Sequence, residues 1–176
     1  MTVNYLGLDL SFAKTGWSVI EVKDGVPSIK AAGLIVSDTK KDATQRIDDT
    51  VTEIKYIASK THPAALVKEA SIIRQVSSAT PVIKTHAVLE HELSGLYTID
   101  DVSNSIVKAW ARTVTGSDGK RKDKEMVAEA VELYYGKISQ IWTSKGRLLD
   151  DVADAIALMT LWLEREGVVE TKFRRK

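Results

Sequence analysis

The sequence predicts an α/β fold in which a mixed β-sheet, begun as an antiparallel meander and extended by parallel strands, is flanked by helices. Three observations lead there. The amino end holds three consecutive strand-like runs separated by short turns. Beyond them, amphipathic helical segments alternate with further strand-like runs. The chain's 176 residues, 44% hydrophobic and 28% charged, suit one domain with a sizeable core. That domain is assigned to residues 1–170, leaving 171–176 as a basic tail.

VNYLGLDL alternates, and is apolar enough for a buried strand ending near Asp9. SFAKTG forms a turn, and WSVIEV a second strand running to Asp24 and Gly25, a pair suited to a two-residue hairpin. SIKAAGLIV completes the meander. From Lys41 to Ser59, Ile47, Val51, Ile54 and Ile57 recur at helical spacing until His62 and Pro63 stop the helix. AALVKEA is a short fourth strand, and Ser78 to Leu96 a helix with Pro81 in its first turn. Residues 97–112 fit a short strand followed by a turn or short helix. TGSDGKRK is a basic loop, and DKEMVAEAVELYY a helix that Gly136 ends. KISQIWTSKGR connects to a last helix, Leu148 to Glu166, closed by Gly167. The predicted order is βββαβαβαα, without internal repeat, low-complexity segment or linker.

No apolar run approaches the roughly 20 residues that span a bilayer, and the amino end has no basic segment leading into an apolar stretch. Zero cysteines exclude disulfides, thiolate zinc sites and cysteine nucleophiles. The expectation is a cytoplasmic protein with no membrane partner. Net charge is only +1, but it is unevenly spread. Lys108, Arg112, Lys120, Arg121, Lys122 and Lys124 face only Asp118 and Asp123 in the same stretch, and the tail adds Lys172, Arg174, Arg175 and Lys176. Basic clusters in a nearly neutral chain suit faces that meet an anion, although solvated loops produce the same pattern.

The carboxylates carry the chemistry. Asp9 and Glu69 are predicted at the carboxyl ends of the first and fourth strands, where open α/β sheets place their ligands. A meander followed by a helical crossover makes those strands neighbours. On the last helix, Asp154 shares a face with Asp151 at i,i+3 and with Asp150 at i,i+4, so spacing leaves the choice between Asp150 and Asp151 open. Strand-end aspartates also form turns, and acids at a helix start also complement its dipole. Asp154 and Glu69 are harder to read that way, because each lies inside an apolar run and needs a partner. Grouped together, such carboxylates repel unless cations neutralise them. Oxygen-only ligands suit Mg²⁺, or Mn²⁺ in its place. Two ions about 4 Å apart activate water for phosphoryl displacement.

These residues resemble a known family. LGLDLSFAKTGW, with the triplet Thr15, Gly16 and Trp17, is similar to the opening of RuvC-type Holliday-junction resolvases. KEASII resembles their second acidic motif, RTVTG followed by KRKDKEMV their basic loop and helix, and DDVADAIAL their terminal Asp-x-x-Asp-Ala signature. The resemblance implies an RNase H-like fold and a homodimer that binds branched DNA in recombination and repair. It also implies Mg²⁺-dependent nicking, with two ions per site, of opposed strands at a four-way junction. It matches Asp9, Glu69, Asp151 and Asp154 to catalytic, metal-binding acids, so that Asp151 is chosen over Asp150. Lys124 is matched to a residue that contacts DNA near the scissile phosphate. Lys108, Arg112, Lys120, Arg121, Lys122 and Arg74 are the further DNA-binding candidates.

Departures from the family pattern point to a divergent, phage-like branch. Leu10, Ser11 and Phe12 replace a glycine-containing turn after the first aspartate, Ile72 stands where an aromatic residue can work at the crossover, and KISQIWTSKGR is longer than the usual connection. Two other functions fit the same residues: an RNase H-like nuclease acting on RNA–DNA hybrids or other branched DNA, and a non-catalytic junction-binding protein. Actin-like ATPases and sugar kinases open similarly but need two lobes. His62, His86 and His91 are assigned structural roles, and the helix from Ser78 to Leu96 is expected to form part of the dimer surface, although its apolar positions Val82, Ile83, Val88, Leu89 and Leu93 suit covering the sheet equally well.

Overall fold

The computed structural model describes residues 1–71, 76–117 and 122–173. β1 (Thr2–Asp9), β2 (Lys14–Lys23) and β3 (Val26–Val36) form the antiparallel meander. Asp24 and Gly25 turn β2 into β3, both at positive φ, as a two-residue hairpin requires. α1 (Ala43–Thr61) follows, its start capped by the Asp42 side chain accepting from the Gln45 amide and its end closed by left-handed His62 just before Pro63. The chain crosses back as β4 (Ala65–Glu69), parallel to β1, and α2 (Val76–Leu93) leads to β5 (Thr98–Val102), parallel to β4. Sheet order is β3-β2-β1-β4-β5, the mixed sheet that the sequence predicts.

The remaining helices are α3 (Asn104–Thr115), α4 (Asp123–Tyr135) and α5 (Asp150–Arg165). α3 corrects the predicted order, which has two helices after the last strand where the fold has three. Val107, Trp110, Ala111 and Val114 form its buried stripe. Ser and Thr mask that periodicity because they weaken helix propensity, yet Thr113 and Thr115 return their hydroxyls to the carbonyls of Ala109 and Ala111. α2 starts at Val76, two residues before the expectation, so Pro81 falls in its second turn rather than its first. The connection to α5 holds a short 3₁₀ turn, Ser139–Ile141, and an antiparallel bridge between Trp142 and Leu148.

Side-chain alternation along the strands divides the core in two. Leu6, Leu8, Val19 and Leu66 pack with Ile47, Val51 and Ile54 of α1 and with Leu89 and Leu93 of α2. Ile20, Val22, Val67 and Val102 face α3, α4 and α5, where Trp110, Met126, Val131, Ile156 and Met159 fill the layer. α5 lies flush on β1 and β2 because small residues face it. A β-carbon on Gly7 would come within 2.6 Å of the Ala155 carbonyl oxygen, and the buried Ser18 hydroxyl donates to that same oxygen at 3.0 Å. No helix among the described residues is long and apolar enough to cross a membrane.

Candidate active site

Asp9 and Glu69 are the last residues of two neighbouring parallel strands. Leu8 pairs with Lys68, so the next residue on each strand, Asp9 on one and Glu69 on the other, ends the ladder at the same level. Leu8 and Lys68 are buried toward α1 and α2, and alternation turns Asp9 and Glu69 to the α5 side. The two carboxyl groups are within hydrogen-bond reach of each other. Across the other edge of β1, Asp9 pairs with Gly16, and the first turn of α5 rests on that glycine. The same contact carries Asp151 to the strand end, with Asp154 one turn further along.

Electrostatics shows the four acids as one cluster. Burial, then the hydrogen bond with Glu69, then the charges of Asp154, Glu69 and Asp151 push Asp9 up to about 9. Burial, then the charges of Asp150, Glu69 and Asp151 raise Asp154 to about 7, with Lys124 opposing. Asp151 is raised by burial and Asp150, while Lys124 and Lys14 pull it back. Asp150 differs. Burial is the largest influence and pushes it up, but the hydrogen bond to Lys124, a backbone hydrogen bond and the charges of Lys124 and Lys14 together outweigh it and hold the carboxyl below the usual range. Asp151 acts on Asp9 directly, whereas Asp150 acts on Asp154 and Asp151 and is ion-paired with Lys124.

The donor set fits a hard divalent cation. Every candidate ligand is a carboxylate oxygen, and the raised values show a cluster that gains from added positive charge. Among the described residues, no three His, Cys, Asp or Glu side chains are already gathered tightly enough to hold an ion. The carboxylates are therefore neighbours that an ion must draw together rather than a finished shell. A cleft of about 420 Å³ opens beside Glu69, between Leu10, His86, Asn104 and Lys108.

The cationic candidates are less uniform. Lys124, in the first turn of α4, is mostly exposed and ion-paired with Asp150 at the mouth of the acid cluster. Lys122 stands at the amino cap of the same helix. Lys108 and Arg112 instead lie against Asp123, at 2.9 and 3.6 Å, which binds α3 to α4. Arg74, Lys120 and Arg121 lie outside the described residues, as do Ile72 and the tail beyond Phe173. Lys172 packs on the Tyr134 ring and donates to its carbonyl oxygen at 3.0 Å.

Two residues escape the sequence reasoning. Lys14 opens β2 and acts electrostatically on Asp150 and Asp151; its only sequence signal is a lone cation in the turn after Asp9. Lys68 is 2% exposed and pairs with Glu90 at 2.8 Å and with Asp101, a buried cation next to the acid cluster's own strand end. Ser11 explains how the turn manages without glycine: its hydroxyl donates to the Lys14 carbonyl and accepts from the Lys14 amide at 3.0 Å. Of the three histidines, His86 is buried, with Nδ1 lacking a partner among the described residues, and burial followed by Lys68 lowers its pKa.

No protein-family model matches the chain. It is 26% identical over 166 residues to the crossover junction endodeoxyribonuclease RuvC of Brachyspira hyodysenteriae, covering 93% of this chain and 95% of that one. It is 26% identical over 163 residues to the RuvC of Prochlorococcus marinus, covering 92% and 97%. Among solved structures, RuvC of T. thermophilus in complex with a Holliday junction substrate superposes with TM-score 0.68 at 17% identity, covering 96% of this chain and 98% of that one. The yeast mitochondrial Holliday junction resolvase Ydc2 gives 0.69 at 15%, covering 94% and 80%. The fold is thus RNase H-like, and the sequence resemblance to RuvC extends over nearly the whole chain.

Proposed function

We propose that this RuvC-like chain is a structure-selective endonuclease that resolves four-way DNA junctions, nicking two opposed strands as a homodimer in the cytoplasm. The observation that carries the proposal is the convergence of Asp9, Glu69, Asp151 and Asp154 at the carboxyl ends of β1 and β4, with Lys124 and Lys14 at the rim. Two relatives at 26% identity along nearly their full length bear the name crossover junction endodeoxyribonuclease, which selects the substrate class.

Asp9, Glu69, Asp151 and Asp154 would hold Mg²⁺ or Mn²⁺, two ions per site. Bound there, the ions supply charge neutralisation and an activated water for in-line phosphodiester hydrolysis. Asp9 sits between Glu69 on one side and Asp151 and Asp154 on the other, and ties the strand-end acid to the helical pair. Burial of the cluster strengthens every interaction made inside it. The exposed cation Lys122 meets the phosphate backbone, supplying affinity separate from the metal chemistry, and Lys124 stands at the rim of the acid cluster.

A labelled four-way junction incubated with the protein and Mg²⁺ tests this directly. Symmetric nicks with 5′-phosphate ends are expected, lost in EDTA and in Asp9→Asn. Preferential cutting of an RNA–DNA hybrid or a flap would move the substrate assignment within the same fold. Junction binding without any cutting in Mg²⁺ or Mn²⁺ would leave a non-catalytic junction binder.

A further inference from the structure

We infer that Asp150 is a positioning residue that fixes the Lys124 ammonium over the rim of the acid cluster, where the DNA phosphate enters. The inference rests on the nuclease reading above and names a part of that site which the resemblance to the family leaves out. Asp150 and Lys124 lie 26 residues apart in sequence and are joined by a direct ion pair. They are the first residue of α5 and the second of α4, and the packing of those two helices places their amino ends together.

Three features show a device rather than a chance surface pair. Lys124 has a long, 72% exposed side chain with several torsions to fix, whereas Asp150 has a short one that is 27% exposed and set on a buried helix. Asp150 is thus the anchor and Lys124 the anchored group. The ammonium also feels the charges of Asp151 and Asp154, so the ion pair with Asp150 holds it beside the cluster. Finally, Asp150 is a fifth acid beside four that already repel. A further carboxylate adds to the repulsion on Asp154 and Asp151. Holding a cation at that rim offsets the cost.

Positioning and simple charge make opposite predictions for DNA affinity. Removing a carboxylate from the mouth of a DNA site strengthens phosphate binding if charge is all that matters. Losing a positioned ammonium slows the chemical step while leaving affinity intact. The experiment compares wild type, Asp150→Asn, Asp150→Glu, Lys124→Ala and the Asp150→Asn/Lys124→Ala double variant. Each is measured for junction affinity in EDTA, single-turnover cleavage in Mg²⁺ and thermal unfolding. Asp150→Asn is expected to cut on the order of tenfold more slowly, with affinity equal to or above wild type and unchanged unfolding. Asp150→Glu recovers part of the rate, and in the Lys124→Ala background Asp150→Asn has no further effect. A wild-type rate in Asp150→Asn, or the same loss with and without Lys124, overturns the inference while wild-type cleavage keeps the nuclease reading. If wild type does not cut at all, the nuclease reading fails and the inference fails with it.

Discussion

The backbone of Asp151 lies so close to Gly16 that a β-carbon on the glycine would stand 1.9 Å from the Asp151 carbonyl oxygen and 2.9 Å from the Val152 nitrogen. Gly16 is also the ladder partner of Asp9. One residue without a side chain therefore sets the distance between the strand acid and the helical acids. Gly16→Ala cannot be absorbed by a side-chain rotation, because the obstructing atoms are backbone. We expect a loss of about 3 kcal/mol or failure to fold, read as a lowered urea midpoint. A milder variant, Ser18→Ala, removes only the hydroxyl bond to the Ala155 carbonyl, and should cost about 1 kcal/mol. Gly16→Ala folding at wild-type stability would show that α5 is not seated as described.

The acid cluster makes stability depend on pH with a definite sign. Asp154 and Asp9 rise from 3.8 to about 7 and about 9 in the folded state. Protons are therefore held more tightly folded than unfolded, and the stability contributed by the protonated forms is full below about 4 and lost as pH rises through 7 and then 9. In EDTA, the melting temperature should fall from pH 5 to pH 9. Asp154→Asn should flatten the lower part of that slope. Mg²⁺ should restore stability most at high pH, where the carboxylates are ionised and free to bind it. A melting temperature that rises with pH in EDTA would contradict the cluster.

Much of this site is legible in the sequence, and the reason is spacing. Asp9 ends one apolar run, Glu69 and Asp154 lie inside others, and Asp154 shares a helical face with both Asp150 and Asp151, so the burial of charge shows in the order of residue types while the choice of Asp151 comes from the family resemblance. Pairwise tertiary contacts are not visible there. Nothing in the sequence marks Asp150 as the partner of Lys124, or Asp123 as the group that engages Lys108 and Arg112, because ion pairs between elements leave no periodic trace. α3 is half-legible for a related reason: its buried stripe has helical spacing, but Ser105, Thr113 and Thr115 argue locally for a turn.

Junction affinity should divide among the cations by their freedom. Lys122 is exposed at the amino cap of α4, whereas Lys108 and Arg112 share Asp123. Lys122→Ala should weaken binding and lower the slope of log affinity against log salt by about 1. Lys108→Ala should do less, because a DNA contact there must first displace the Asp123 carboxylate. Equal losses for the two variants, measured by titration at several salt concentrations, would show that the Asp123 pairs open freely on binding.

Lys68 supplies a test of how a charge survives in the sheet. It is 2% exposed, while its partners Glu90 and Asp101 are 50% and 54% exposed. The pairing is therefore asymmetric: each acid can turn to water if the lysine is lost, but the lysine has nowhere else to go. Lys68→Met keeps most of the volume, removes the buried charge and leaves two solvated acids, so stability should change by less than about 1 kcal/mol. The double variant Glu90→Gln/Asp101→Asn leaves an uncompensated buried ammonium and should cost about 3 kcal/mol or more. The comparison is made by urea unfolding at neutral pH. If Lys68→Met proves the more damaging, the lysine does more than fill the sheet between α2 and β5. Its adjacency to Glu69 on β4 would then tie it to the acid cluster on the opposite face.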